Sequence, residues 1–87
     1  MKIWNLDKNK KYNNEYKKFF NQEKYKFQTD KFKIGDIIQF WTGYNDDIRA
    51  QASIKGIDKD GDLYVFTDCY WCPIKDDATR KIKIINK

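Results

Sequence analysis

The stretch 48–74 constrains the fold most, because it combines strand-like alternation with a tight turn. Apolar residues at positions 48, 50, 52 and 54 alternate with polar residues at positions 49, 51, 53 and 55. This period of two places one set of side chains on a core face and the other in water. Residues 58–62 supply turn-forming side chains, and Gly61 can adopt a positive φ angle. Because residues 63–67 then form a β-favouring run, we predict a hairpin in a mainly β domain.

Further strands are predicted on both sides of this hairpin. Gly56 interrupts the first strand, which indicates a bulge or a bend that lets one strand serve two sheets. Residues 37–42 form a strand that starts after the Gly35-Asp36 turn, and residues 80–85 form the last strand. The predicted core consists of Ile37 or Ile38, Ile48, Ile54, Leu63 or Tyr64, Val65, Ile74, Ile82 and Ile84.

The N-terminal third differs from the rest of the chain in charge and in pattern. Residues 1–33 contain ten lysines and four acidic residues, a net charge of +6, whereas residues 34–87 carry a net charge of −1. Residues 1–6 are consistent with a short strand. In residues 11–22 the aromatic side chains fall on one helical face, which predicts a helix there; they are Tyr12, Tyr16, Phe19 and Phe20.

The lysines of this third have two interpretations. In one, the helix docks on the β domain and its lysines form a solvated surface. In the other, a basic and aromatic arm contacts nucleic acid, because lysines attract phosphates and aromatic rings stack on bases. The predicted nucleic-acid-binding residues are Lys10, Lys11, Lys17, Lys18, Lys24 and Lys26.

Residues 32–85 carry several motifs of a known kind of small barrel. These motifs are Phe32-x-Ile34-Gly35-Asp36, residues 52–58 before the Asp60-Gly61 turn, Tyr64-Val65-Phe66-x-Asp68 after it, and Trp71-x-Pro73-Ile74. In these features the chain resembles the SH3-like barrels of the KOW, Tudor and PWWP class. The resemblance implies a five-stranded barrel in residues 32–87, preceded by a basic extension in residues 1–31. It also implies a binding function, since the class binds nucleic acid, peptides, methylated side chains or other proteins and contains few enzymes.

A second candidate site is an aromatic groove for a ligand or partner. The rings exceed what the predicted core needs, so two or three of them are expected on the surface, where they suit a peptide, a base or a methylammonium group. Tyr44 is the best candidate for exposure because its loop is polar. The predicted groove residues are Trp41, Tyr44, Tyr64, Tyr70 and Trp71.

The sequence offers little material for catalysis or metal binding. The chain contains no histidine, which excludes histidine-based acid–base chemistry, and it has no glycine-rich phosphate loop. Cys69 and Cys72 have C-x-x-C spacing but lie in a strand-like run, so we interpret them as structural. A metal shared across a dimer and a redox role remain alternatives. The acidic run 58–62 does not match the calcium-loop spacing. We therefore predict no cofactor, no metal and no enzymatic activity.

The predicted function is nucleic-acid association through the basic N-terminal helix. The alternatives are a protein-interaction module or phage-encoded inhibitor of a host protein, and a binder of a small anion such as a nucleotide between barrel and arm. No apolar run has the length of a membrane span and no secretory signal is recognisable, so we expect a cytoplasmic protein without membrane contact. The lysine, asparagine and isoleucine content is typical of AT-rich bacterial and phage genomes. The oligomeric state stays open.

Overall fold

The computed structural model describes residues 2–8, 14–43, 48–66 and 71–86, and the chain is mainly β, as predicted. Within these ranges the chain forms seven strands, one short helix and one 3₁₀ turn. In chain order the elements are β1 (Lys2–Asn5), α1 (Asn14–Phe20), the 3₁₀ turn (Glu23–Tyr25), β2 (Ile37–Trp41), β3 (Ile48–Ser53), β4 (Gly56–Ile57), β5 (Leu63–Phe66), β6 (Trp71–Ile74) and β7 (Lys83–Ile84).

The described strands form two sheets instead of the predicted closed five-stranded barrel. The larger sheet has the order β1-β3-β2-β7, and the smaller sheet has the order β4-β5-β6. β1 runs parallel to β3, and the other pairs are antiparallel. Among the described residues no strand of the larger sheet pairs with a strand of the smaller sheet, so the predicted five-stranded barrel is not closed.

The chain passes from one sheet to the other between two adjacent residues. The Ile54 N–H donates to the Asp36 carbonyl at 2.8 Å, next to the larger sheet, and the Lys55 N–H donates to the Tyr64 carbonyl of the smaller sheet at 2.7 Å. The change of sheet therefore lies between Ile54 and Lys55, just before the bend that the sequence predicted at Gly56.

The core lies between the two sheets. Ala50, Ala52 and Ile54 are buried in it, which confirms the alternation predicted for this strand, and Ile48 is half-buried. The rest of the main cluster consists of Phe32, Ile38, Phe40, Ile57, Leu63, Val65 and Ile74, with Leu6, Ile82 and Ile84 packed against it. Burial of these side chains is the main source of stability in so small a domain.

The hairpin turn between β4 and β5 has the predicted geometry. Gly61 has a φ angle of +85°, which confirms the positive φ expected for it. Its N–H donates to the Asp58 carbonyl at 3.0 Å, and the Asp58 carboxylate accepts the N–H groups of Asp60 and Asp62 at 2.9 and 3.0 Å. Asp58 therefore closes the turn with its own side chain, as Asx turns do.

Both ends of the described chain lie on the larger sheet. β1 falls within the short strand predicted for residues 1–6. The loop after it is fastened by Asp7, which accepts the Ser53 N–H at 2.7 Å and pairs with Lys55 at 3.3 Å. The last strand is shorter than the predicted 80–85, because Arg80 and Lys81 belong to a turn in which the Lys81 N–H donates to the Asp77 carbonyl at 3.3 Å.

The N-terminal helix was predicted over residues 11–22. In the structure residues 14–20 are helical, residues 21–22 have left the helix, and residues 11–13 lie outside the described part of the chain. α1 packs on the outer side of the smaller sheet. No helix within the described ranges is long and apolar enough to cross a membrane.

Candidate nucleic-acid interface

A cluster of aromatic rings holds α1 on the smaller sheet. This aromatic cluster consists of Phe19, Phe20, Tyr25, Tyr64, Phe66 and Trp71. The Phe19 ring stacks on Trp71 with 3.8 Å between ring centroids and on Tyr25 with 4.2 Å. Phe20 and Phe66 are buried. A seven-residue helix is unstable by itself in water, so the packing of these rings is what keeps the segment helical.

Gly56 allows the helix to approach the sheet closely. A Cβ atom on Gly56 would lie 2.7 Å from Phe20 Cδ1 and 3.1 Å from Tyr25 Cβ, closer than carbon atoms pack. The sequence assigned this glycine to a bulge or bend, as a break in alternation usually indicates. The structure adds a different reason for it, which is the space that the helix occupies.

The segment from α1 through the 3₁₀ turn packs its aromatic rings against the smaller sheet and exposes its lysines to solvent. Lys17, Lys18, Lys24 and Lys26, which we call the lysine face, are all exposed. Lys24 Nζ lies 5.3 Å from the centre of the Tyr25 ring. Two exposed glutamates, Glu15 and Glu23, share the segment, so the lysine face keeps an excess of positive charge. Lys10 and Lys11, predicted to belong to the same site, lie outside the described residues.

The lysine face differs from other lysines in its partners. Lys31 pairs with Asp76 at 2.8 Å, Lys55 with Asp7 at 3.3 Å and Lys75 with Asp62 at 3.2 Å. Among the described residues, no acidic side chain forms an ion pair with any member of the lysine face. Four ammonium groups are therefore available to an external anion.

A cleft lies beside the lysine face, between the 3₁₀ turn and the hairpin turn. This aromatic cleft has a volume of about 410 Å³ and is lined by Glu23, Lys24, Tyr25, Phe27, Asp58, Lys59, Asp60 and Tyr64. Phe27 is 49% exposed, and its N–H donates to the Ile57 carbonyl at 3.0 Å. That hydrogen bond attaches the segment after the 3₁₀ turn to the edge strand β4. Phe27 is thereby held in place as one wall of the cleft.

Tyr64 at the base of this cleft is held in its neutral form. Its hydroxyl donates to Asp58 Oδ2 at 3.0 Å. Burial, together with this hydrogen bond and the negative charge of Asp58, raises the pKa of Tyr64 to about 12. At neutral pH the Tyr64 hydroxyl is therefore protonated and hydrogen-bonded to Asp58. Tyr64 is suited to packing and not to accepting a proton.

The predicted aromatic groove is divided by the structure. Tyr64 and Trp71 lie together on the smaller sheet, where Phe19 and Phe20 pack against them, whereas Trp41 belongs to the larger sheet. Tyr44 and Tyr70 lie outside the described residues. Sequence reasoning missed Tyr25 and Phe27 as lining residues. Their alternation with Lys24 and Lys26 in the sequence was the available signal.

The cysteine and carboxylate motifs do not assemble into a metal site in the described structure. Cys72 is a half-buried free thiol, and Cys69 lies outside the described ranges. Two carboxylates of the acidic turn are engaged, because Asp58 closes the turn and Asp62 pairs with Lys75. Across residues 2–8, 14–43, 48–66 and 71–86 no three His, Cys, Asp or Glu side chains are grouped to hold a metal ion.

Comparisons with protein-family models, with curated proteins and with solved structures found no match to this chain. Function is therefore inferred from the surfaces themselves, and the lysine face and the aromatic cleft beside it both suggest a partner.

Proposed function

We propose that this protein is a non-enzymatic binding protein that associates with nucleic acid through the lysine face. The observation that carries the proposal is the arrangement of the N-terminal segment. Its rings are fixed against the smaller sheet, while Lys17, Lys18, Lys24 and Lys26 are exposed and form no ion pair with a described acidic residue. Four exposed ammonium groups on one segment of the chain suit a phosphate backbone, whose binding releases condensed counterions.

Binding of this kind has a characteristic dependence on salt. Contacts to phosphates position the chain and carry no sequence information. If the lysine face together with Lys10 or Lys11 neutralises about five phosphates, log K falls with log salt with a slope of about −3.5 on single strands. Affinity should therefore be similar across sequences and should weaken steeply with ionic strength.

The decisive experiment compares two fourfold lysine variants of equal charge. In the first, Lys17, Lys18, Lys24 and Lys26 are replaced by glutamine. In the matched control, Lys2, Lys8, Lys31 and Lys33 are replaced by glutamine; these are exposed lysines outside the lysine face and outside the aromatic cleft. Fluorescence anisotropy with a labelled single-stranded oligonucleotide should show a loss of more than about tenfold and a flatter salt slope for the first variant only. Equal losses in both variants would mean that net charge, and not this surface, drives binding. Absence of binding by the intact protein at low salt would refute the function.

The architecture we propose for residues 32–87 is that of an SH3-like module, with residues 1–31 as its extension. Two features support the relationship. β3 and β4 are nearly continuous and pass from one sheet to the other, and a turn at residues 78–81 precedes the last strand, which pairs with β2. Such modules serve binding more often than catalysis, although fold alone does not select a partner.

A second candidate function is a protein-interaction module, which is favoured by the aromatic cleft. Three acidic residues line it, Glu23, Asp58 and Asp60, against the two lysines Lys24 and Lys59. Rings combined with carboxylates suit a cationic side chain of a partner protein, including a host protein that this chain would inhibit. The variant Phe27→Ala should remove a partner that survives nuclease treatment of an extract and leave oligonucleotide binding unchanged. If Phe27→Ala weakens oligonucleotide binding instead, bases use the cleft and the protein-partner interpretation fails.

A further inference from the structure

The larger sheet has an outward face that carries polar and aromatic side chains. On β2, Gln39 and Trp41 alternate with the buried Ile38 and Phe40, and on β3, Arg49 and Gln51 alternate with the buried Ala50. The strand register places Trp41 directly opposite Arg49 and Gln39 directly opposite Gln51. Directly opposite residues share a face of the sheet, so Trp41 and Arg49 form one row and the two glutamines form the next. α1 and the 3₁₀ turn pack on the smaller sheet instead.

This outward face has a positive charge balance. Among the described residues of this face, Arg49 and Lys83 are basic, since Lys83 lies opposite Gln39, and none of the four strands contains an aspartate or a glutamate. The turn that precedes β7 adds Arg80 and Lys81 at the end of β2. An anion approaching the row of Trp41 therefore meets cations from two strands and a turn.

Two cavities meet at Trp41. The smaller one has a volume of about 280 Å³, and the described residues that line it are Trp41, Arg49, Ala78, Thr79 and Lys81. The larger one, of about 440 Å³, is lined by residues that include Arg80 and Asp77. Trp41 and Thr79 line both cavities. A flat ring that lines a cavity together with two cationic side chains is suited to an aromatic anion.

The turn is fixed to the end of β2 by reciprocal hydrogen bonds. The Trp41 N–H donates to the Arg80 carbonyl at 2.8 Å, and Arg80 Nη1 donates to the Trp41 carbonyl at 3.0 Å. The next residue, Lys81, has a φ angle of +53°, a left-handed conformation that non-glycine residues seldom adopt. Unfavourable backbone conformations of this kind cluster at functional sites. Here the residue with the left-handed conformation, Lys81, is one of those that line the smaller cavity.

We propose that the 280 Å³ cavity binds a nucleoside phosphate, with the base stacked on the Trp41 indole and the phosphate held by Arg49 and Lys81. Stacking on an aromatic ring tolerates any base, and two cations neutralise a phosphate. The same chemistry is offered by a free mononucleotide and by one nucleotide of a single strand. The site does not depend on the lysine face, which belongs to α1, the 3₁₀ turn and Lys26 on the side of the smaller sheet.

The test uses adenosine 5′-monophosphate and a short oligodeoxyadenylate as probes of the full-length protein. Titrations followed by heteronuclear magnetic resonance should move the Trp41 indole N–H and the Lys81 amide resonances in a saturable way. Trp41→Leu should weaken binding about tenfold, and Trp41→Phe should weaken it less because a ring remains. Arg49→Gln should weaken binding and reduce its dependence on salt, whereas Lys33→Gln, an exposed lysine outside the cavity, should change nothing.

Lys81→Gly separates a binding role from a structural one. Glycine is at ease in the left-handed conformation, so this variant should melt at a higher temperature than the parent and still bind the probes several-fold more weakly. Unchanged affinity in a stabilised Lys81→Gly protein, or no shift of the Trp41 indole resonance with either probe at millimolar concentration, would overturn the proposal. Saturation by the mononucleotide would identify a free nucleotide as sufficient, and saturation by the oligonucleotide alone would identify a strand. The lysine-face glutamine variant should retain the mononucleotide response, so failure of the proposed function leaves this site testable by itself.

Discussion

The outer faces of the two sheets cover the same core from opposite sides, yet they carry different residues. The smaller sheet presents Tyr64, Phe66 and Trp71, and these rings are packed under α1. The larger sheet presents Gln39, Trp41, Arg49 and Gln51 in paired rows and has no helix packed on it in the described structure. An aromatic residue on a strand therefore has no fixed role. On the smaller sheet the rings pack against two phenylalanines of α1, whereas on the larger sheet Trp41 lies beside a turn that carries Arg80 and Lys81.

The covered face is where stability beyond the main core is found. Aromatic pairs contribute about 0.5–1.5 kcal/mol each beyond their buried area, and Phe19 makes two close stacks, with Trp71 and Tyr25. The outward face of the larger sheet instead combines one half-buried ring with polar side chains that interact with each other, as in the hydrogen bond from Gln39 Nε2 to Gln51 Oε1 at 3.0 Å. We therefore expect truncations on the two faces to differ sharply in cost.

The largest effect is expected from Phe20→Ala. Phe20 is only 7% exposed and packs against Phe66 and Gly56, so truncation should cost about 3 kcal/mol of unfolding free energy and release the helix. Trp41→Ala on the other face should cost clearly less, because Trp41 is half-buried. Urea denaturation of the two variants measures both values. Equal costs would mean that the ring of the larger sheet is as structural as those under the helix, and would weaken the case for a ligand there.

Much of this contrast between the two faces could be predicted from the sequence, because the buried side of a strand or helix follows from local periodicity. The alternation at residues 48–54 identified the core face of β3, and the Asp-Gly turn identified the hairpin with its positive φ at Gly61. The stripe that contains Phe19 and Phe20 identified the packed side of the helix and left Lys17, Lys18 and Lys24 outside it.

What the sequence did not predict depends on contacts between distant segments. The parallel pairing of β1 with β3 joins residues more than forty positions apart, and nothing local specifies it. Tyr64 and Trp71 were predicted to line a ligand groove. The sequence could not show that Phe19, which is far away in the chain, packs against both of them. The left-handed Lys81 was placed in a regular strand, since lysine carries no signal for positive φ.

A smaller effect is expected from Gly56→Ala, which tests how closely the covered face is packed. The new Cβ would overlap Phe20 Cδ1 at 2.7 Å, so the Phe20 ring or the helix that carries it must shift, at a cost of about 1–3 kcal/mol. The near-ultraviolet circular dichroism of the ring stack should change with it. Gly61→Ala is the control: it has open space around it but a φ angle of +85°, so it should cost about 1 kcal/mol and leave the ring signal intact.

Combining Gly56→Ala with Phe20→Ala sharpens this test. Removing the Phe20 ring also removes most of the overlap, so the double variant should lose markedly less than the sum of the two single losses. Strictly additive losses would mean that Gly56 serves the backbone of β4 and not the approach of the helix.

The smallest effect concerns Tyr64, which links the covered face to the hairpin turn. The pKa of Tyr64 is raised from 10.0 to about 12, first by burial and then by the hydrogen bond and charge of Asp58. The folded protein therefore holds the phenolic proton more tightly than the unfolded chain does. This contribution to stability is fully present below pH 10 and disappears as the pH rises from 10 to about 12, because the unfolded chain then loses its proton first.

Tyr64→Phe retains the ring and removes both the proton and the hydrogen bond to Asp58. At neutral pH the variant should be less stable by about 1 kcal/mol, the usual net worth of one hydrogen bond. As the pH rises above 10 the parent should lose its advantage over the variant, while other tyrosines and lysines titrate equally in both proteins and cancel in the difference. Urea denaturation of the pair across this range measures that difference directly. A constant difference up to pH 12 would mean that Tyr64 ionises as easily in the folded protein as in the unfolded one. Tyr64 would then be exposed to solvent, and the covered face would be more loosely packed than the ring distances indicate.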